Sequence, residues 1–230
     1  MRPTAEDLIA FYTSPLGLRV AREVRRAMTP LLRQRTTDRV LGLGFCPPFL
    51  AGLESRVERL AMAMPARQGA CVWPRDGDNR SVLVDELALP FADALFDQVV
   101  LVHALEFVDP ARRLLREVWR VLAPGGTLLV VAANRAGLWT HFEATPFGNG
   151  RPFGRAQLRQ LLETGLFAPR DWTPALVMPP YRWLMPLERL AARATPGLGG
   201  IHVVLADKTD GPLPVRGSPL AIHRPAFGTI

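Results

Sequence analysis

Lysine is nearly missing from this chain. Of its 28 Lys and Arg side chains, Lys208 is the only lysine, and the rest are arginines scattered among 21 acidic residues. The formal net charge of +7 therefore has no basic stripe behind it. That argues against a nucleic-acid footprint, which needs clustered positive charge. Cysteine is scarce as well. Cys46 and Cys71 are the only two, too few for a disulfide scaffold and not spaced as a CxxC site. Histidines number four and lie far apart in sequence, so no metal-ligand spacing appears. No apolar run reaches the roughly 18–20 residues of a spanning helix. The first residues, MRPTAEDL, have no apolar signal core. A Gly-x-Ser-x-Gly nucleophile elbow is also missing. These absences leave a reduced, cytoplasmic protein as the expectation.

What is present is apolar and punctuated. The chain has 230 residues, 48% of them hydrophobic, with 22 prolines and 19 glycines. One α/β domain of that length can bury a full core. Leu8, Phe11 and Tyr12, then Leu16, Val20, Val24 and Met28, recur at helical spacing. Pro15 and Gly17 should break that stretch into two helices, and Pro30 should bend or restart the second. Residues 1–36 are thus read as N-terminal helices, 37–208 as the α/β core, and 209–230 as a Pro/Gly-rich, loosely attached tail.

In the core, Arg39–Gly44 reads as a first strand, followed by a helix over Pro48–Val57. Arg59–Met64 and Ser81–Val84 read as second and third strands. Residues 65–80 are too irregular for a good crossover helix. Phe96–Val102 is a continuous apolar run, as expected for a parallel strand buried on both faces. Asp109 and Pro110 are placed to start a helix whose inner stripe is Ala111, Leu114, Leu115, Val118 and Leu122. Pro124, Gly125 and Gly126 should turn the chain into a strand over Thr127–Ala132. A long loop covers 133–153, then a short helix with Leu158, Leu161 and Leu162 inward and Gly165 at its end. Further strands are expected near Ala175–Met178 and Ile201–Ala206, with a helix over Tyr181–Ala194 between them.

Two segments carry a resemblance. DELALPFADALFDQVV (85–100) and LREVWRVLAPGGTLLVV (115–131) closely resemble the second half of a class I S-adenosylmethionine (SAM) methyltransferase of the type 11 group. TPFGNGRPFGRAQLRQLL (145–162) is similar to the segment that borders the acceptor pocket in that family. The likeness runs from Arg39 to about Phe167. It implies a Rossmann-like, seven-stranded, mostly parallel sheet with helices on both faces, and SAM beyond the carboxyl ends of the strands.

The resemblance also places a cofactor site. Gly42, Gly44, Phe45 and Cys46 stand where the family has its glycine-rich turn. Met64 stands where an acid binds the ribose, and Asp85, Glu86 and Leu87 where the adenine is held. His103 ends the fourth strand near the reactive methyl and is the first candidate for a catalytic base. His141 and Asn149 could touch an acceptor from the long loop, and Arg135, Arg151 and Arg155 could bind an anionic one, but a solvated face is the simpler account of all five.

Departures from the pattern leave two readings open. VLGLGFCPPFL (40–50) has Gly42 for the acid, Cys46 and Pro48 for two glycines, and two prolines without amide donors. The turn is either a narrowed cradle or a packed corner that binds nothing. Met64 cannot accept hydrogen bonds as a carboxylate does. It either packs on the adenosine or fills core. Gly44-x-Cys46-x-x-Phe49 is not the GxGxxG of a nucleotide oxidoreductase. The expectation is a SAM-dependent methyltransferase acting on a small-molecule acceptor, without metal, nucleic-acid partner or membrane span. The alternative is a non-catalytic protein of the same fold, kept as a binding or scaffolding module.

Overall fold

The computed structural model describes residues 2–194 and 199–210. The proposed tail beyond Asp210 lies outside the described residues. The elements, in order, are α1 (Ala5–Thr13), α2 (Pro15–Met28), β1 (Arg39–Gly44), α3 (Pro47–Leu50), β2 (Arg59–Pro65), β3 (Ser81–Val84), β4 (Phe96–Val102), α4 (Ala111–Val121), β5 (Leu122–Ala133), α5 (Arg155–Thr164), β6 (Phe167–Ala175), α6 (Glu188–Ala194) and β7 (Ile201–Lys208). The strands form one sheet in the order β3-β2-β1-β4-β5-β7-β6. The five from β3 to β5 pair in parallel, and β7 runs antiparallel to both β5 and β6.

The apolar run of β4 feeds both faces of the sheet, because side chains alternate along a strand. Val99 and Leu101 enter one core with Leu41, Leu43, Leu114, Leu115, Val118, Leu158 and Leu162. Val100 and Val102 enter the other with Leu8, Tyr12, Val20, Val24, Met28 and Phe49. Helices α4 and α5 thus cover one face, and α1, α2 and the single turn of α3 cover the other. Each fully buried Leu or Val contributes on the order of 1.5–3 kcal/mol.

The N-terminal break falls where Pro15 and Gly17 put it. Thr4 and Asp7 cap α1 reciprocally, with the Asp7 amide donating to Thr4 Oγ1 (3.2 Å) and the Thr4 amide to Asp7 Oδ2 (2.9 Å). Ser14 then caps α2 by accepting from the Gly17 amide (3.0 Å). A Cβ on Gly17 would lie 1.9 Å from the Phe11 carbonyl oxygen, so only glycine permits this corner.

Several expectations need correction. The helix after β1 is four residues, Pro47–Leu50, and not Pro48–Val57; Gly52 at φ +86° and the turns that follow divert the chain toward β2. Pro124, Gly125 and Gly126 do not precede β5 but lie inside it as an irregularity, where the register jumps from Phe96–Leu122 to Gln98–Thr127. Asp109 does not cap α4; its carboxylate pairs with Arg151 instead (2.7 Å). The strand expected near Ala175–Met178 is Phe167–Ala175. The helix over 181–194 is only a short 3-10 turn and α6, Glu188–Ala194. Lys208 ends β7 with its Nζ donating to the Leu122 carbonyl (2.6 Å) and 3.9 Å from the centre of the Trp119 ring.

Candidate functional site

The family motif has a structural task. Arg120 on α4 donates to the carbonyls of Phe91 (2.8 Å) and Leu89 (2.8 Å) and to the carboxylates of Asp93 (2.6 Å) and Glu117 (2.8 Å). Glu117 also accepts from the Leu89 amide (2.9 Å). The loop 85–95 is thereby fastened to α4, which fixes the turn that carries Asp85, Glu86 and Leu87 beyond β3. Hydrogen bonding from Arg120 holds the Glu117 carboxyl below its ordinary range.

At the carboxyl ends of the strands, seven of the nine expected cofactor residues are buried. Gly42, Gly44, Phe45, Cys46, Met64, Glu86 and His103 are closed off, Leu87 is half-buried, and Asp85 is exposed. The glycines serve close packing of the chain on itself. A Cβ on Gly44, at φ +98°, would lie 2.1 Å from the Val102 carbonyl oxygen, and one on Gly42 2.7 Å from Met62 Sδ and 2.8 Å from Cys46 Cβ. The Phe45 amide donates to the Val102 carbonyl (2.8 Å). Cys46 Sγ lies 3.5 Å from the Val100 carbonyl oxygen, and burial keeps that thiol protonated. Met64 points its sulfur at the Cys71 amide (3.3 Å), which is a packing role.

His103, at φ +52°, ends β4 with its ring 1% exposed. Its Nε2 bonds the hydroxyl of Tyr12 at 2.6 Å. Tyr12 in turn stacks on Phe45 (centroids 5.9 Å apart, 15°) and meets Phe49 edge-on, while Phe147 packs against His103 at 4.8 Å. Burial drives His103 down to about 3, so it stays neutral at ordinary pH, and its Nε2 is already engaged. The expected base is therefore a hydrogen-bonded wall residue in this conformation. Tyr12 is itself pushed well above its ordinary value by burial.

Next to this aromatic group lies a polar cluster. Glu86 pairs with Arg2 at 2.7 Å, and the Arg2 guanidinium sits 5.6 Å from the centre of the Phe107 ring. The amide of Ala5 donates to the Gln68 carbonyl (2.7 Å), so the N-terminal segment spans the loops after β2, β3 and β4. Glu106 accepts from the Ala133 amide at 2.9 Å, and burial raises its carboxyl to about 7. Within this cluster, Arg2 Nε and Nη2, both amide atoms of Gln68, and Glu106 Oε2 are buried without a hydrogen-bond partner. Buried polar groups are nearly always satisfied, so these unmet atoms have capacity for a ligand.

Residues 25–130 match the methyltransferase domain family of type 11. The chain has the class I methyltransferase fold. Among curated proteins, the chain is 31% identical over 102 residues to a demethylmenaquinone methyltransferase of Thermus thermophilus, covering 44% of this chain and 40% of that protein. It is 36% identical over 133 residues to the one of Beutenbergia cavernae, covering 56% and 54%. The matches thus span about half of those relatives or less. A SAM-dependent methyltransferase of Thermotoga maritima superposes with a TM-score of 0.66 at 19% identity, covering 89% of this chain and 95% of that one. That likeness concerns the fold alone.

How SAM fits differs between its two ends. At the methionine end, Pro47 and Pro48 offer no amide, and the glycines leave no space that the protein has not filled. At the adenosine end, Gln68 has an unpaired donor and acceptor four residues past Met64, in a loop whose Ala66 amide donates to the carbonyl of Val84, the residue before Asp85 (2.9 Å). Asp85 Oδ1 is held by the Leu87 amide (2.9 Å) and remains open to solvent. Among the expected loop residues, His141 is exposed, the Asn149 amide closes its own loop on the carbonyls of Glu143 and Thr145 (3.0 Å each), and the Arg151 amide donates to the Glu106 carbonyl (2.9 Å). Arg135, Arg151 and Arg155 are exposed too. Among the described residues no cluster suited to a metal ion occurs, and no helix is long and apolar enough to cross a membrane.

Sequence reading missed Arg2, Tyr12 and Gln68. Tyr12 sits in the apolar stripe of α1, where its ring reads as core and nothing announces the hydroxyl. Gln68 lies in an aperiodic stretch. Only the paired lack of an acid at Met64 and of any crossover helix after it hinted that a substitute was needed nearby.

Proposed function

We propose that this protein is a SAM-dependent methyltransferase acting on a small-molecule acceptor, with a cofactor crevice that the N-terminal segment closes in this conformation. The observation that carries the reading is the pair of buried, unpartnered side chains Gln68 and Glu106 beyond β2 and β4. Gln68 takes the part of the missing acid: an amide can both accept from and donate to a ribose diol. Asp85, Glu86 and Leu87 hold the adenine. Phe45, Met64, Cys46, Gly42 and Gly44 shape the wall, and Tyr12, Phe45 and Phe147 offer ring faces of the kind that attract a cation such as a sulfonium. SAM supplies an activated methyl group; the protein's share of the work is to align the acceptor and exclude water. Proton removal, where the acceptor needs it, falls to Glu106, whose carboxyl is raised to about 7. The curated relatives' acceptor is not carried over to this chain.

The second reading, a non-catalytic binding module, is favoured by Pro47, Pro48 and the filled glycine spaces. Calorimetry with SAM and S-adenosylhomocysteine separates the two. Saturable binding is expected of the enzyme, and no heat from demonstrably folded protein leaves the module. Gln68→Leu sharpens the test. Removing a buried, unpartnered amide should raise stability by about 1 kcal/mol or more, whereas SAM affinity should fall at least tenfold. A variant that is more stable and binds SAM unchanged would remove Gln68 from the site.

A further inference from the structure

A cavity of about 570 Å³ opens on the α1–α2 side of the sheet, within the range of roughly 300–1,000 Å³ found for small-molecule sites. It exists because two crossovers are short of helix. The connection after β1 has a single turn, and residues 66–80 have none, so neither fills the space beneath α1 and α2. Its walls are apolar: Ile9, Leu18, Phe45, Pro47, Val72 and Trp73. Leu18 and Val72 are 55% and 62% exposed at its rim. The charged groups lining it are Arg22, Arg25 and Arg75, and no carboxylate joins them. Arg25 donates to the Pro48 carbonyl, while Arg22 and Arg75 make no ion pair among the described residues. Of the residues assigned to the cofactor crevice, Tyr12 and Phe45 line it as a shared wall, and His103, Gln68 and Glu86 do not.

We propose that this cavity is a binding site for an amphiphile with an apolar body and a single anionic head. Exposed apolar side chains around a concave wall mark a surface meant to be covered. Three guanidiniums without a facing acid fix the sign of the occupant's charge and match a carboxylate in fork geometry. The apolar body lies along Phe45, Pro47 and Trp73, and the head meets Arg22 and Arg75. Beyond the shared turn at Phe45, Pro47 and Pro48, its lining comes from α1, α2 and the loop 71–75 and includes none of Gln68, Asp85, Glu86 and Leu87, so its occupancy is tested separately from that of SAM.

Dodecanoate below its micellar concentration tests this by calorimetry on the full chain, with dodecyltrimethylammonium as the charge-reversed control. Saturable, 1:1 dodecanoate binding is expected, at least tenfold tighter than that of the cation. It should weaken at least tenfold in Arg22→Ala/Arg75→Ala, whose exposed positions leave folding intact. No binding, equal binding of both amphiphiles, or undiminished binding by the double variant would overturn the proposal. Competitive displacement by S-adenosylhomocysteine would overturn it too, by making the cavity part of the cofactor site.

Discussion

Glu106 and His103 are buried within a few residues of each other and respond to acid in opposite senses. Burial raises the Glu106 carboxyl from 4.5 to about 7. The folded state therefore holds a proton that the unfolded chain loses, and stability falls as pH rises from about 4.5 to 7. Burial lowers His103 from 6.5 to about 3. There the unfolded chain takes up the proton first, and stability falls as pH drops below about 6.5. Between pH 4.5 and 6.5 the two effects offset each other. Glu106→Gln keeps an acceptor for the Ala133 amide and removes only the titration. Its urea midpoint should exceed that of the parent at pH 8, by up to about 3 kcal/mol in free energy, and should decline steadily from pH 6.5 to 4.5 while the parent stays nearly level. Parallel profiles for the two proteins would show that Glu106 is not held neutral by its surroundings.

At the level of elements, the loop from Asp85 to Leu95 owes its shape to one side chain. Arg120→Ala would leave the carbonyls of Leu89 and Phe91 and the carboxylate of Glu117 without their partner. We expect a loss of about 2–3 kcal/mol in urea unfolding, and faster amide exchange confined to residues 88–95 and the first turn of the loop after β3. Exchange unchanged in that loop would mean that packing of Phe91 and Phe96 holds it unaided. The legibility of the chain divides along the same line. The β4–α4–β5 unit was readable because its apolar period is regular over both strands and the helix, even though Pro124–Gly126 lie inside β5 and Asp109 does not cap α4. The stretch from Phe45 to Arg80 was not. Its helix is one turn long, its fastenings are backbone carbonyls, and the polar group that matters most there, Gln68, has no partner that a pattern could reveal. β6 was shifted by several residues because Pro169 and Pro174 hide a strand that pairs only at the sheet's edge with β7.

Across the whole molecule, two cores clasp one sheet, and the N-terminal segment crosses the end where the parallel strands finish. The Arg2–Glu86 pair is the contact that shuts this end, with both side chains about 10% exposed. If closure competes with the nucleoside, Arg2→Ala should bind S-adenosylhomocysteine severalfold more tightly, with a faster association rate in stopped-flow measurements. Equal affinity and rate would show that the segment merely decorates the crevice. The fold class was legible from sequence, since a seven-stranded, mostly parallel sheet with helices on both faces is what the resemblance of 85–100 and 115–131 implies. The closure was not, because it depends on residues brought together from positions 2, 68, 86 and 106, each unremarkable in its own stretch.

The lone ammonium side chain is the feature with the widest practical reach. Lys208 is bonded to a carbonyl and laid over an indole, and burial lowers its basicity. Amine-directed labels and crosslinkers will therefore find almost no side-chain foothold among the described residues, whereas dicarbonyl reagents that attack guanidines will find many, with Arg22 and Arg75 open to them until an anion takes their place.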